Sequence, residues 1–268
     1  VAQWDDVPPA ASSAGDSSAD ATLRSVATDA GLQELAPYLV HLVRTEVYGR
    51  LADAPRLGRV LRLLGAMLDN PRLHLEVYLD QLLPAVLTCV VGSRIGADGD
   101  GGTGRALRRR AARVTVRICD AFPQYRTLRS RVLLTLLQGM ADDRPLGTQY
   151  GSLAGVVALG SLAVAANVLP RAVAYWNYLA KMIAGEHGAC SVERGEDVME
   201  CQRALLEAIG RVLDEAGGDG DETPAGTEKT ELFCAGDSKL LEDIADNFGE
   251  KLIPFYSSAS YELGTCFI

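Results

Sequence analysis

Apolar positions recur at helical spacing over most of the chain. In 32–50 the stripe is Leu35, Leu39, Leu42, Val43 and Val47; in 56–68 it is Leu57, Val60, Leu61, Leu64 and Leu68. Asn70-Pro71 breaks the chain, because the residue before a proline is pushed out of the helical region. The pattern resumes in 75–91 with Val77, Leu82, Leu83, Val86, Leu87 and Val90. After a Gly/Asp-rich stretch at 96–104 it continues in 105–122 (Leu107, Ala111, Val114, Ile118) and 128–140 (Val132, Leu133, Leu136, Leu137). Two further helices are predicted over 148–164 and 165–183, one over 192–216 and a last one over 239–256. That makes about ten helices, and no stretch shows the period-two alternation of a half-buried strand.

A short motif recurs inside this pattern: Leu35-Ala36-Pro37-Tyr38-Leu39, Leu82-Leu83-Pro84-Ala85-Val86, Val168-Leu169-Pro170-Arg171-Ala172 and Leu252-Ile253-Pro254-Phe255-Tyr256. The first two prolines are one period of roughly 40–47 residues apart, and the next gap is about two. The last gap reads as one repeat expanded by insertions. A proline within each outer helix would bend it around its neighbour. The fold class is therefore all-α, a HEAT-type solenoid of about five antiparallel helix pairs. The domain is expected to span 21–260, with 1–20 as a flexible tail or linker end, an acidic loop near 214–231 and a C-terminal tail at 261–268.

Composition supports helices and narrows the chemistry. The 268 residues are 48% hydrophobic but only 6% aromatic, and the net charge is −9. Acidity at that level argues against general nucleic-acid binding. The chain begins at Val1, which reads as an excised fragment, and its first residues lack the basic start and apolar run of a signal peptide. No charge occurs from Pro145 to Pro170, but Gln149, Asn167 and several Gly and Ser positions suit a buried helix pair better than a membrane span. Six dispersed cysteines without a CxxC pair read as thiols in a reducing compartment, with Cys89 and Cys119 as small buried hydrophobes.

Catalytic material is thin. His41, His74 and His187 stand apart from any nucleophile motif. His187, Cys190 and Cys201 lack a fourth zinc ligand and the paired short spacings of a structural site. The 96–104 stretch has neither a phosphate-loop ending nor the closing Glu of a calcium loop, so it reads as a connector. Asp142-Asp143 is the nearest acid pair, in a turn before Arg144-Pro145. No catalytic residue, cofactor or metal is assigned. One cluster is strongly basic: Arg105, Arg108, Arg109, Arg110, Arg113 and Arg117, several of which would share an exposed face opposite the Leu107/Ala111/Val114/Ile118 stripe. It reads first as a solvated face paired with carboxylates on neighbouring repeats, and then as a candidate docking face for an acidic partner or, less favoured, for nucleic-acid phosphates. The stretch 214–231 carries seven carboxylates and one Lys and reads as a solvated loop.

Three collinear blocks carry a family resemblance. They are Leu23-Arg24-Ser25-Val26-Ala27-Thr28-Asp29-Ala30-Gly31-Leu32; Met67-Leu68-Asp69-Asn70-Pro71-Arg72-Leu73-His74-Leu75-Glu76-Val77-Tyr78, running into Gln81-Leu82-Leu83-Pro84-Ala85-Val86-Leu87-Thr88-Cys89-Val90-Val91; and Gln149-Tyr150-Gly151-Ser152-Leu153-Ala154-Gly155-Val156-Val157-Ala158-Leu159-Gly160, followed by Val168-Leu169-Pro170. Together they resemble the C-terminal domain of TBP-associated factor 6, a subunit of the general transcription factor TFIID. The likeness covers about 21–170 and fades beyond Ile183. It implies a five-repeat HEAT domain without catalytic residues, acting in the nucleus as an interaction scaffold among other TFIID subunits. The family's histone-fold region, which pairs with TBP-associated factor 9, is not among these residues, so that pairing is not assigned to them. The candidate partner surface in the matching blocks is Asp69, Asn70, Pro71 and Tyr78 with Gln149, Tyr150 and Ser152; the alternative is local, with Asn70-Pro71 as a turn and Tyr150-Gly151-Ser152 allowing close helix packing. The alternatives are a cytoplasmic HEAT adaptor and an all-α enzyme with a pocket lined by Asp142, Asp143 and His187.

Overall fold

The structure, a computed structural model, describes residues 14–93, 95–96, 101–184, 192–217 and 238–252. Among the described residues there are eleven α-helices, three short 3-10 turns and no strand. In chain order the helices are α1 (Ala14–Thr28), α2 (Ala36–Gly49), α3 (Ala54–Asp69), α4 (Leu79–Val91), α5 (Gly101–Ala121), α6 (Thr127–Gly139), α7 (Leu146–Leu159), α8 (Ser161–Asn167), α9 (Ala172–Ile183), α10 (Val192–Gly217) and α11 (Ser238–Leu252).

They stack in two rows. α1, α3, α5, α7 and α10 pack one against the next, while α2, α4 and α6 and then α8 and α9 lie over them. The complete pairs are α2/α3, α4/α5, α6/α7 and α8–α9/α10, with α1 and α11 at the two ends. This is an all-α HEAT-type solenoid. Each pair leaves an apolar face that only its neighbour can cover, so the core runs unbroken along the stack.

Local sequence accounts for the element ends. Asp53 accepts a hydrogen bond from the Arg56 amide at 2.9 Å, and Pro55 follows in the first turn, so α3 starts with a side-chain cap and a preset φ. Asp29 does the same for the 3-10 turn at Ala30–Leu35 by accepting from Gly31 at 2.8 Å. α7 is closed on nearly all sides: Thr148, Gln149, Tyr150, Gly151, Ser152, Leu153, Gly155 and Val156 are buried. That is why this part of the chain carries no charge, and no helix among the described residues is long and apolar enough to cross a membrane. In α8 only Val164 is buried, so the second half of the uncharged stretch is a surface helix rather than the partner in a fully buried pair.

Several expected boundaries differ. α1 begins at Ala14, inside the stretch read as a tail. α5 begins at Gly101, so the end of the Gly/Asp-rich stretch is helical; 97–100 lie outside the described residues. The break expected at 164–165 falls at Gly160, whose φ of +115° ends α7. Among the recurring prolines only Pro84 stands inside an α-helix. Pro37 occupies the first turn of α2 and Pro170 a 3-10 turn before α9, where a missing N–H costs nothing. The expectation that each proline bends an outer helix is corrected on this point. The copies at 35–39 and 168–172 mark the entry into α2 and α9, each after a 3-10 turn, while the copy at 82–86 lies within α4. Pro254 lies outside the described residues.

Candidate functional site

The basic cluster divides into two groups on α5. Arg108 points inward and is only 3% exposed. It donates to the Val90 and Gly92 carbonyls, both at 2.7 Å, at the C-terminus of α4. Thr148 of α7 donates to the neighbouring Val91 carbonyl at 2.8 Å. A helix leaves its last carbonyls without intrahelical partners, and here two neighbouring helices supply the donors. Burial pulls the Arg108 guanidinium down to about 10, an effect that Asp197 partly opposes. Arg108 is therefore a structural residue and not part of an exposed docking face, which corrects that part of the expectation.

The other arginines do face outward, and they meet residues of three further helices. Arg62 of α3 pairs with Asp20 of α1; Arg117 pairs with Asp69; Arg105 pairs with Asp197 of α10 at 3.0 Å. Arg110 lies over Gly58 and Arg117 over Gly65, two positions on α3 separated by two helical turns, so guanidinium groups reach the space left by missing side chains. Arg109 donates to the Tyr150 hydroxyl, and its guanidinium sits 5.6 Å from that ring's centre. Burial raises the Tyr150 phenol and Arg109 pulls it back.

Arg62, Arg109, Arg110, Arg113 and Arg117 rim a groove of about 790 Å³ that crosses α3, α5, α7 and α10. Its floor is small and apolar: Gly58, Ala106, Ala154, Val157, Ala158 and Ala204. Glu207 is the single carboxylate among the described lining residues, and burial raises it while Arg109, Arg203 and Arg211 oppose the shift. Sequence reading missed Arg59 and Arg62 on α3 and Arg211 on α10. A signal existed for the first two: Arg56, Arg59 and Arg62 recur every third position on the polar side of the 56–68 stripe.

The candidate surface in the family-like blocks is largely interior. Gln149 and Ser152 are completely buried and Tyr150 nearly so. They stand on the helix closed in by α4, α5, α6, α8 and α10, so they are corrected from surface to packing residues. Asn70 is also buried: its amide donates to the Val26 and Asp29 carbonyls, both at 2.8 Å, and its oxygen accepts from the Arg72 amide at 3.0 Å. It ties the end of α1 to the turn after α3. Asp69 and Pro71 are exposed and Tyr78 is half-buried.

Among the described residues the remaining candidates form no cluster. His41 and His74 are exposed, and Asp142 and Asp143 occupy an exposed turn. His187 and Cys190 lie outside the described residues, as do Cys234, Cys266 and most of the acidic stretch. Cys89, Cys119 and Cys201 are free and buried; burial pushes their thiols up to about 12, 11 and 12.

Fold and site together define a helical-repeat protein that presents grooves and faces. The chain belongs to the TAF6 C-terminal HEAT repeat domain family, whose model matches residues 4–173. That family is a structural one and not an enzymatic one. The chain is 34% identical over 192 residues to the "SAGA complex/transcription factor TFIID complex subunit Taf6" of Schizosaccharomyces pombe, covering 71% of this chain and 42% of that protein. It is 35% identical over 162 residues to "Transcription initiation factor TFIID subunit 6" of Arabidopsis thaliana, covering 59% and 29%. The chain thus spans less than half the length of either relative. Among solved structures it is similar to the TAF6 C-terminal domain from Antonospora locustae, with a TM-score of 0.55, 24% identity, and coverage of 69% of this chain and 87% of that one. That likeness supports the fold.

Proposed function

We propose that this chain is an interaction scaffold within TFIID, supporting assembly of the complex and transcription initiation by RNA polymerase II in the nucleus. The observation that carries this reading is the family membership, together with relatives whose names describe subunits of that factor. The geometry is consistent with it: a continuous apolar core holds two rows of helices together, and among the described residues the polar side chains outside that core form faces and a groove. Other TFIID subunits are the partners in this reading. Asp69, Pro71 and Tyr78 remain as one contact surface, and Arg109, Arg110, Arg113 and Arg117 as another.

A second reading, membership of a SAGA-type assembly, is favoured by the name of the fission-yeast relative, which includes both complexes. Affinity purification of the tagged chain from nuclear extract, read by mass spectrometry, tests both. TFIID subunits are expected among the recovered proteins, and subunits found only in SAGA would favour the second reading. Recovery of transport or phosphatase components without any transcription-factor subunit would overturn both in favour of a cytoplasmic adaptor.

A further inference from the structure

The groove across α3, α5, α7 and α10 has a rim and a floor of different chemistry. The lining includes seven arginines and one carboxylate; Arg62 and Arg117 are paired with Asp20 and Asp69 beside it, and the balance remains positive on a chain whose net charge is −9. Among the described residues no carboxylate pairs with Arg59 or Arg110. Burial lowers the affinity of Arg110 for its proton, and its charged neighbours Arg113 and Arg62, themselves cations, lower it further. Between the arginines the floor is built from Ala154, Val157 and Ala158 of α7 and Ala204 of α10.

We propose that this groove is the docking site for an acidic amphipathic helix of a partner protein. Its carboxylates meet the arginine rim, and its apolar face rests on the small-residue floor. The inference rests on the scaffold reading above and names what one face of the scaffold holds. Three arguments favour this occupant. Like charges crowded at a rim are relieved by a ligand that carries the opposite charge. A phosphate backbone would use the arginines but leave the apolar floor without a partner, whereas an amphipathic helix uses both. The dimensions also agree: four neighbouring helices about 8–10 Å apart give a floor of roughly 25–30 Å, the length of about 18 residues of helix.

Fluorescence anisotropy with the whole chain and a labelled synthetic peptide of about 18 residues tests the proposal. The peptide carries Leu along one face and Glu along the other. A scrambled peptide of the same composition, a version with Lys for Glu, and a short labelled DNA duplex are the comparisons. The amphipathic acidic peptide is expected to bind about tenfold or more tightly than any of them, and more weakly as salt rises. The double substitution Arg59→Glu with Arg110→Glu is expected to weaken binding about tenfold or more, at exposed positions where folding is unaffected by circular dichroism. Ala158→Gln, which fills the floor without changing charge, should weaken it as well. Equal binding of the scrambled peptide, tighter binding of the duplex, or indifference to both variants overturns the proposal. The two readings fail separately: loss of peptide binding with TFIID subunits still recovered defeats the groove alone, and the reverse defeats the scaffold assignment.

Discussion

Arg108 shows how a single side chain can carry a charge and yet serve the interior. Its planar fork spans two carbonyls at the end of α4, a geometry an ammonium group cannot reproduce. Arg108→Ala is expected to destabilise the chain by about 3 kcal/mol in urea unfolding, because charged hydrogen bonds are lost and two buried carbonyls are left unpaired. Arg108→Lys should recover only part of that loss. Ser152 is the opposite case. Its hydroxyl is buried with no hydrogen-bond partner among the described residues. Ser152→Ala is therefore expected to be neutral or to stabilise by up to about 1 kcal/mol in the same measurement. Neither role was legible in the sequence. Six arginines crowd one helix, and what separates Arg108 from its neighbours is that α5 is packed by α3, α4 and α7 together. A single apolar stripe read from the sequence assumes one covered side. Likewise Gln149 and Ser152 are polar in composition, but the burial of α7 is set by five neighbouring helices.

At the scale of elements, two glycines on or next to α7 do different work. A Cβ at Gly151 would stand 2.0 Å from the Val90 carbonyl oxygen, so the absence of a side chain lets α7 meet the end of α4. Gly160 has open space around it, but its φ of +115° with ψ of 166° lies in a region that only glycine readily adopts. Gly151→Ala is expected to cost about 3 kcal/mol because the obstacle is backbone, which cannot rotate aside. Gly160→Ala should cost about 1–3 kcal/mol through conformational strain alone. Thermal unfolding distinguishes the cases: adding a hydroxyl beyond the Cβ by Gly151→Ser should worsen the first, while Gly160→Asn should cost about as much as Gly160→Ala, because at ψ of 166° the position lies outside the left-handed helical well that asparagine tolerates. Helix existence was largely legible, since the apolar stripes of α3, α4, α5, α6 and α10 stand where the spacing predicts. Their ends were less so, because Pro37 and Pro170 signal entry into a helix only once the preceding 3-10 turns are seen.

A stack in which each unit touches only its neighbours should loosen locally when one junction is cut. The junction at the α1 end is well defined. α1 packs on α3, and the buried Asn70 amide, held by the turn after α3, grips the Val26 and Asp29 carbonyls while Arg62 pairs with Asp20. Asn70→Ala removes both buried donors and leaves the two carbonyls at the end of α1 without them. The ion pair at Asp20 is largely exposed and contributes little by itself. Hydrogen exchange is expected to rise across 19–29 in this variant, while α4, α5 and α7 keep their protection, since α1 makes its main contacts with α3 alone. The Asn70→Asp variant keeps the acceptor for the Arg72 amide but not the donors, so it should exchange like Asn70→Ala over the same segment. A uniform loss of protection from α1 to α10 would mean that the array unfolds as one cooperative unit, and the neighbour-by-neighbour account of its stability would fail. This outcome also bears on the inner groove. Of its helices only α3 contacts α1, so peptide binding should be largely kept in Asn70→Ala, with any loss confined to the α3 side, if the units are coupled only to their neighbours.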